Sequence, residues 1–205
     1  MLQLYPKTRK KSVAPVDFRL KILTSAIKVF SQKGYASCTM SDVAIHAKVG
    51  VGTLYNYFKN KDDMLLQCMK KTIEDEIDHI RLASEKISDP FEKLTYFMHE
   101  HRLLIESKPY IARFLIIELR QSESFYKRNP TFNPMQYYLD FIRDIFAEAV
   151  KRGSIRKIDP DALALSILGT VDMLLTQWLI HGRDYDIEGL WNSYKEIIRT
   201  GVATK

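Results

Sequence analysis

A chain of 205 residues that is 46% hydrophobic, with only 8 Gly and 7 Pro, has enough apolar content for a real core and lacks the make-up of a disordered or fibrous protein. Its net charge of +6 is uneven: residues 1–60 hold 10 Lys and Arg against 2 acidic residues, and residues 61–205 hold 21 against 23. That basic end reads as a nucleic-acid footprint or as a solubilising tail, while two cysteines, Cys38 and Cys68, without metal-ligand spacing argue against a metal centre or a disulfide framework.

Residues 1–15 form a short basic arm punctuated by Pro6 and Pro15, without the long apolar stretch of a signal peptide. From Val16, the spacing of Phe18, Ile22, Ala26, Ile27 and Phe30 predicts a helix that Gly34 ends. Thr39 with Asp42 is a capping box opening a second helix, which buries Met40, Val43, Ala44 and Ala47. Four residues later "GTLYNYF" predicts a third, so residues 16–59 read as a helix-turn-helix with a supporting helix. At about 100° per residue, Leu54 and Phe58 point into the small core. Thr53, Asn56 and Lys59 then face out between Tyr55 and Tyr57, a set suited to phosphate oxygens and base edges. Gly50 and Gly52 keep bulk away from the helix start, where backbone N–H groups are free to approach a phosphate.

"GYASCTMSDVAIHAKVGVGTLYNYFKNKDDML" resembles the DNA-binding signature of TetR-family transcriptional regulators, with the match covering residues 16–66. The resemblance implies operator contacts, mostly to phosphates, from Thr39, Val51, Thr53, Tyr55, Asn56, Tyr57 and Lys61. Two positions depart from the family's habit: Lys48 stands where the turn often has glycine and adds a charge, and Gly50 replaces a serine cap.

Residues 60–205 predict helix after helix: one capped by Asn60, one opened by Pro90, one over 109–122, "MQYYLDFIRDIFAEAVKRG", one opened by Asp159 and Pro160, and a last from about Asp186 to Thr200. No segment alternates like a half-buried strand, so the fold class is all-α, with a ligand-binding and dimerisation domain following the head. No apolar run is expected to approach the ~18 residues of a membrane span, and the chain is expected in the cytoplasm.

Helix 160–181 is apolar around nearly its whole girth, so both faces need cover. A homodimer seam supplies it, built from Leu165, Leu168, Gly169, Asp172 and Thr176 with Leu190, Trp191, Tyr194, Ile197 and Ile198, as the TetR resemblance implies. A central helix in a monomeric bundle is the other reading. In helix 109–122, Glu118 sits among Ile111, Phe114, Leu115 and Leu119, and a buried carboxylate needs a partner such as His101, Arg102 or a tyrosine of "QYYLDF". An internal ion pair or hydrogen-bond anchor is the first reading of it, and a ligand site the second. As a ligand site, Phe97, Met98, His101, Arg102, Phe114, Glu118, Tyr137, Phe141, Met173 and Gln177 are the candidate lining.

"ELRQSE", "GTVDMLLTQW" and "YDIEGL" are similar to FadR-like TetR repressors of fatty-acid degradation that respond to long-chain acyl-CoA. That resemblance implies an acyl chain in an apolar tunnel and a head group near Arg102, Arg113, Arg120 or Lys127. A flat hydrophobic drug or aromatic metabolite controlling an efflux operon is the alternative, and an unregulated architectural DNA binder is a third. The five histidines make no zinc pattern, and "GVG" lacks a following Lys-Ser/Thr, so neither enzyme nor cofactor is expected.

Overall fold

In the computed structural model, residues 15–114, 123–133 and 135–202 are described, and among them every regular element is helical. The basic arm and Glu118 lie outside the described residues.

The head contains three helices. In α1 (Pro15–Lys33), Ile22, Ala26 and Phe30 are buried on one side, and Gly34 with φ 80° ends it. The hydroxyl of Thr39 accepts the Asp42 N–H and the Asp42 carboxylate accepts the Thr39 N–H, so α2 (Met40–Ala47) starts on the expected capping box. Helix α3 (Val51–Tyr55) is shorter than expected. The N–H groups of Tyr57 and Phe58 both donate to the Leu54 carbonyl, closing the end as a tight turn, after a start that lacks a side-chain cap.

The body begins with α4 (Lys61–Ala83), whose N–H at Asp63 donates to the Asn60 side chain. Pro90 opens α5 (Pro90–Ser107) beneath an Asp89 cap, and α6 (Pro109–Ala112) follows. Helix α7 (Glu123–Arg128) was not foreseen: its single apolar anchor, Phe125, is too little for a periodic pattern. In α8 (Gln136–Lys151), Tyr138, Phe141, Ile142, Ile145, Phe146 and Ala149 form one buried stripe, which packs on α9 (Pro160–His181), α4 and α5. A 3-10 turn leads to α10 (Ile187–Val202), whose last carbonyls accept from the backbone and side chain of Arg156.

Helix α9 buries Leu163, Ala164, Ile167, Val171, Leu174 and Leu175 against α8 and α10. Its opposite face leaves Leu165 at 61%, Met173 at 57% and Ile180 at 66% exposed. By length and composition this helix meets the membrane-span criterion, which corrects the expectation that no segment would. Its core-facing half is that of a packed bundle helix, and Asp161 and Asp172 interrupt it.

Candidate nucleic-acid interface and effector groove

The head's outer surface is built on an inner one. Leu54 and Phe58 are buried beneath α3, and burial contributes about 1.5–3 kcal/mol for each side chain. Above them Tyr55 is 55% exposed, and Val51, Asn56 and Lys59 stand in solvent, as do Thr39, Lys48, Gly50 and Gly52 around them. Thr53 is half-buried, as is Tyr57, whose ring lies against Phe18 and Phe58. A Cβ placed on Gly52 meets nothing within 4 Å, so the free protein does not require glycine there.

Lys48 holds the turn in the left-handed region, φ 57° and ψ 50°, and its N–H returns to the carbonyls of Ala44 and Ile45. This is the backbone position for which glycine is the ordinary choice. Lys33 approaches Asp42 to 2.5 Å. That contact, with the hydroxyl and N–H of Thr39, holds the Asp42 carboxyl well below the usual carboxylate range.

Lys61 requires a correction. Its ammonium donates to the carbonyls of Tyr35 and Cys38, each at 2.8 Å, and of Ala36 at 3.3 Å, while lying 4.5 Å from the Tyr35 ring centre. An ammonium has three donors, and all three are directed at the loop between α1 and α2. Lys61 therefore fastens α4 to the head, and a phosphate would have to displace those bonds.

Next to it, Asp62 accepts the Tyr35 hydroxyl and the Nε and Nη2 of the Arg128 guanidinium, at 2.6 and 3.0 Å. Beneath these polar contacts Phe30 stacks on Phe114, and Tyr35 stands edge-on to Phe125.

The nine candidate ligand residues that are described do not gather in one cavity. Phe97 and Phe141 are buried core aromatics, and Phe114 is occupied by Phe30. Met98 and Arg102 border a recess of about 90 Å³ between α5 and α10, with Arg102 paired to Glu106. Tyr137 borders a separate groove of about 630 Å³ between α4 and α8. Met173 and Gln177 belong to the outward half of α9, where Gln177 bonds His181. Of the suggested head-group cations, Lys127 pairs with Glu123, and Arg120 lies outside the described residues.

His101 does have a buried carboxylate partner, though a different one. Its Nδ1 meets Glu76, whose other oxygen accepts the Tyr138 hydroxyl at 2.5 Å. Burial, then the Glu76 charge, pushes the Tyr138 phenol well above its usual range. The signal was present in the sequence, since Glu76 falls three and four residues from Ile73 and Ile80 on the buried arc of α4.

A groove of about 680 Å³ runs between head and body. Leu20, Leu23 and Ile27 of α1 form one wall; Ile80, Leu104 and Ile111 of α4, α5 and α6 form the other. Its charged rim includes the pairs Lys71–Asp75 and His79–Glu100, together with Lys108, which has no carboxylate partner among the described residues. Glu76 reaches its wall, so the buried polar cluster borders this space.

Part of the expected pairing surface faces inward. Trp191 and Ile198 are buried in the chain's own core, whereas Leu165, Gly169 and Leu190 are exposed; Leu168, Asp172, Thr176 and Tyr194 are half-buried. Ile197, expected in the seam, is 67% exposed, and Ile180 at 66% exposure extends the outward apolar face. The Tyr194 and Ser166 hydroxyls, 2.7 Å apart, tie α10 to α9 along it. Both thiols are buried, with Cys38 pushed up to about 11 and Cys68 also raised by burial, so neither has thiolate character at neutral pH.

Residues 22–68 match the model of bacterial regulatory proteins of the tetR family, and residues 69–201 match that of the YsiA-like C-terminal region. The fatty acid metabolism regulator protein of Bacillus subtilis is 29% identical over 91% of this chain and 96% of its own length. The crystal structure of FadR from B. subtilis in complex with stearoyl-CoA superposes with a TM-score of 0.78 at 28% identity, over 87% of this chain and 96% of that one. The fatty acid degradation regulator FadR of Bacillus halodurans gives 0.77 at 27% identity, over 86% and 95%.

Proposed function

The chain belongs to the TetR family of bacterial transcriptional regulators, and from that premise we propose that it is a repressor whose paired subunits bind a palindromic operator until a long-chain acyl-CoA releases them. The observation that carries the effector reading is the groove walled jointly by α1 of the head and by α4, α5 and α6 of the body. A guest there touches both modules, so its binding energy depends on how they sit against each other. That dependence is the differential affinity a population shift requires.

The groove's size suits the class. About 680 Å³ is ordinary for a small-molecule site, and the aliphatic walls suit an acyl chain while Lys108 at the rim is offered to phosphate. Likeness to a regulator crystallised with stearoyl-CoA supports the same class. Operator contacts are assigned to Thr39, Lys48, Gly50, Val51, Gly52, Tyr55, Asn56 and Lys59, with Thr53 and Tyr57 at the edges.

Pairing follows from the outward face of α9 and α10. Apolar side chains there lie in one stripe, and a second copy offers an identical, self-complementary stripe about a two-fold axis. Two heads then read two half-sites about one helical turn, ~34–36 Å, apart.

The test uses a duplex enriched from a random pool by the protein itself. Fluorescence anisotropy should show binding that weakens at least fivefold with stearoyl-CoA and not with free CoA. Binding indifferent to the acyl thioester sinks the effector reading. Light scattering should report a dimer for the native chain and a monomer for the Met173→Glu, Ile180→Glu double variant; a monomeric native chain refutes the pairing.

A further inference from the structure

We propose that Arg128 and Asp62 form a latch between body and head, closed in the operator-competent state and opened by the effector. This rests on the functional reading above and adds the contact through which occupancy reaches the DNA-facing helices.

Asp62 lies in the first turn of α4, a few residues after α3 ends. Its carboxylate accepts from Tyr35, in the loop that follows α1, and from Nε and Nη2 of the Arg128 guanidinium on α7. One side chain thus joins the loop of the head, the start of the connecting helix and a body helix far away in sequence. Continuity of the chain through α4 and the aromatic contacts along α1 join head to body. The fork of Arg128 adds a polar attachment off the α4 axis, and its planar geometry fixes orientation as well as distance.

The contacts are ordered along α1. Its middle residues, Leu23 and Ile27, wall the groove, and Lys28 lies over the Tyr110 ring of α6. Farther along, Phe30 stacks on Phe114, then Tyr35 meets Phe125, and the series ends at Asp62 and Arg128. A guest that parts α1 from α6 loosens the first of these contacts and biases the last. Arg128 is half-exposed, at 52% for its side chain. An ion pair in that setting adds little to the stability of the fold, so it is easily exchanged between two states.

Two-state linkage makes this measurable. If the latch favours the operator-competent state, Arg128→Gln raises the equilibrium constant for the released state. The ratio of the operator Kd to the effector Kd scales with that constant, whichever state predominates. We expect the ratio to rise about fivefold in Arg128→Gln, with stearoyl-CoA binding unchanged or tighter. Tighter binding has the opposite sign to simple electrostatics, because removing a cation weakens attraction for an anionic thioester. It also differs in sign from structural damage, which weakens both ligands. Arg128→Lys, which keeps the charge but loses the fork, should fall between. Arg152→Gln, which likewise breaks an exposed ion pair, with Glu148 on α8, should leave the ratio unchanged.

An unchanged ratio in Arg128→Gln, weaker stearoyl-CoA binding in it, or an equal change in Arg152→Gln overturns the latch. A native chain that binds its enriched duplex but not stearoyl-CoA defeats the effector reading instead. The latch is then judged by hydrogen exchange on the native protein: amides of 35–38 and 123–128 should be more protected in the duplex complex, and equal exchange overturns it.

Discussion

Gly52→Ala separates what α3 needs in order to fold from what it needs in order to touch DNA. A Cβ on Gly52 encounters no atom within 4 Å, and the residue lies in helical conformation, so alanine is accepted without strain. Exchanging glycine for alanine inside a helix stabilises it by up to ~1 kcal/mol, and about 0.5 kcal/mol is expected here because α3 is short. In the proposed operator complex the same methyl group would occupy the space through which a phosphate reaches the backbone N–H of Gly52, since the Thr53 N–H already donates to the Gly50 carbonyl at 3.0 Å. Losing one hydrogen bond to a charged oxygen removes about 1.5–3 kcal/mol per head, a tenfold or greater weakening for each half-site. Urea denaturation followed by circular dichroism should show an equal or higher midpoint. Anisotropy on the enriched duplex should show the loss, with the slope of log K against log salt unchanged because no cation has been removed. Full operator affinity in Gly52→Ala refutes a close approach of the duplex to the start of α3.

Lys48→Gly should relieve the left-handed backbone by about 0.5–1 kcal/mol, raising the denaturation midpoint while weakening operator binding and flattening its salt slope by about one phosphate per head. Asp42→Asn should lower stability at pH 7. The sign follows from a carboxyl depressed in the folded state: its contribution is complete above the unfolded value of about 3.9 and fades as pH falls toward the folded one, so native and variant midpoints should converge in acid. Midpoints that stay equally far apart as the pH falls would contradict the depressed Asp42 carboxyl. Tyr138→Phe deprives a buried Glu76 oxygen of its donor and should cost about 1.5–3 kcal/mol in urea, and a loss under 0.5 kcal/mol would show that the oxygen finds water.

Local chemistry carried the head's elements legibly in the sequence. A capping box, a terminating glycine and the spacing of Leu54 and Phe58 each act within a few residues, so composition alone locates them. The two-faced character of α9 was legible for the same reason, being a property of one helix. Which side of a helix meets which neighbour is a tertiary fact. Trp191 and Ile198 are therefore buried in their own subunit although their spacing resembles that of exposed Leu190 and Ile197. The effector residues were harder still, because Phe97 or Phe141 in a core cannot be told by type from a tunnel wall. The groove between head and body takes its walls from α1, α4, α5 and α6, and no single segment announces it. Lys61 was misassigned because a lysine at a helix start suits a phosphate and a cluster of carbonyls equally; only the position of the Tyr35–Cys38 loop decides between them.

The outward stripe of α9 and α10 has a genetic corollary. It lies wholly in the body, so if copies pair through it as proposed, one altered only in α2 or α3 would still associate. Such a copy would sequester an intact sister in a one-armed assembly that grips a single half-site. Head lesions in this protein should accordingly behave as dominant when co-expressed with the normal allele, whereas lesions that ruin the stripe should be recessive.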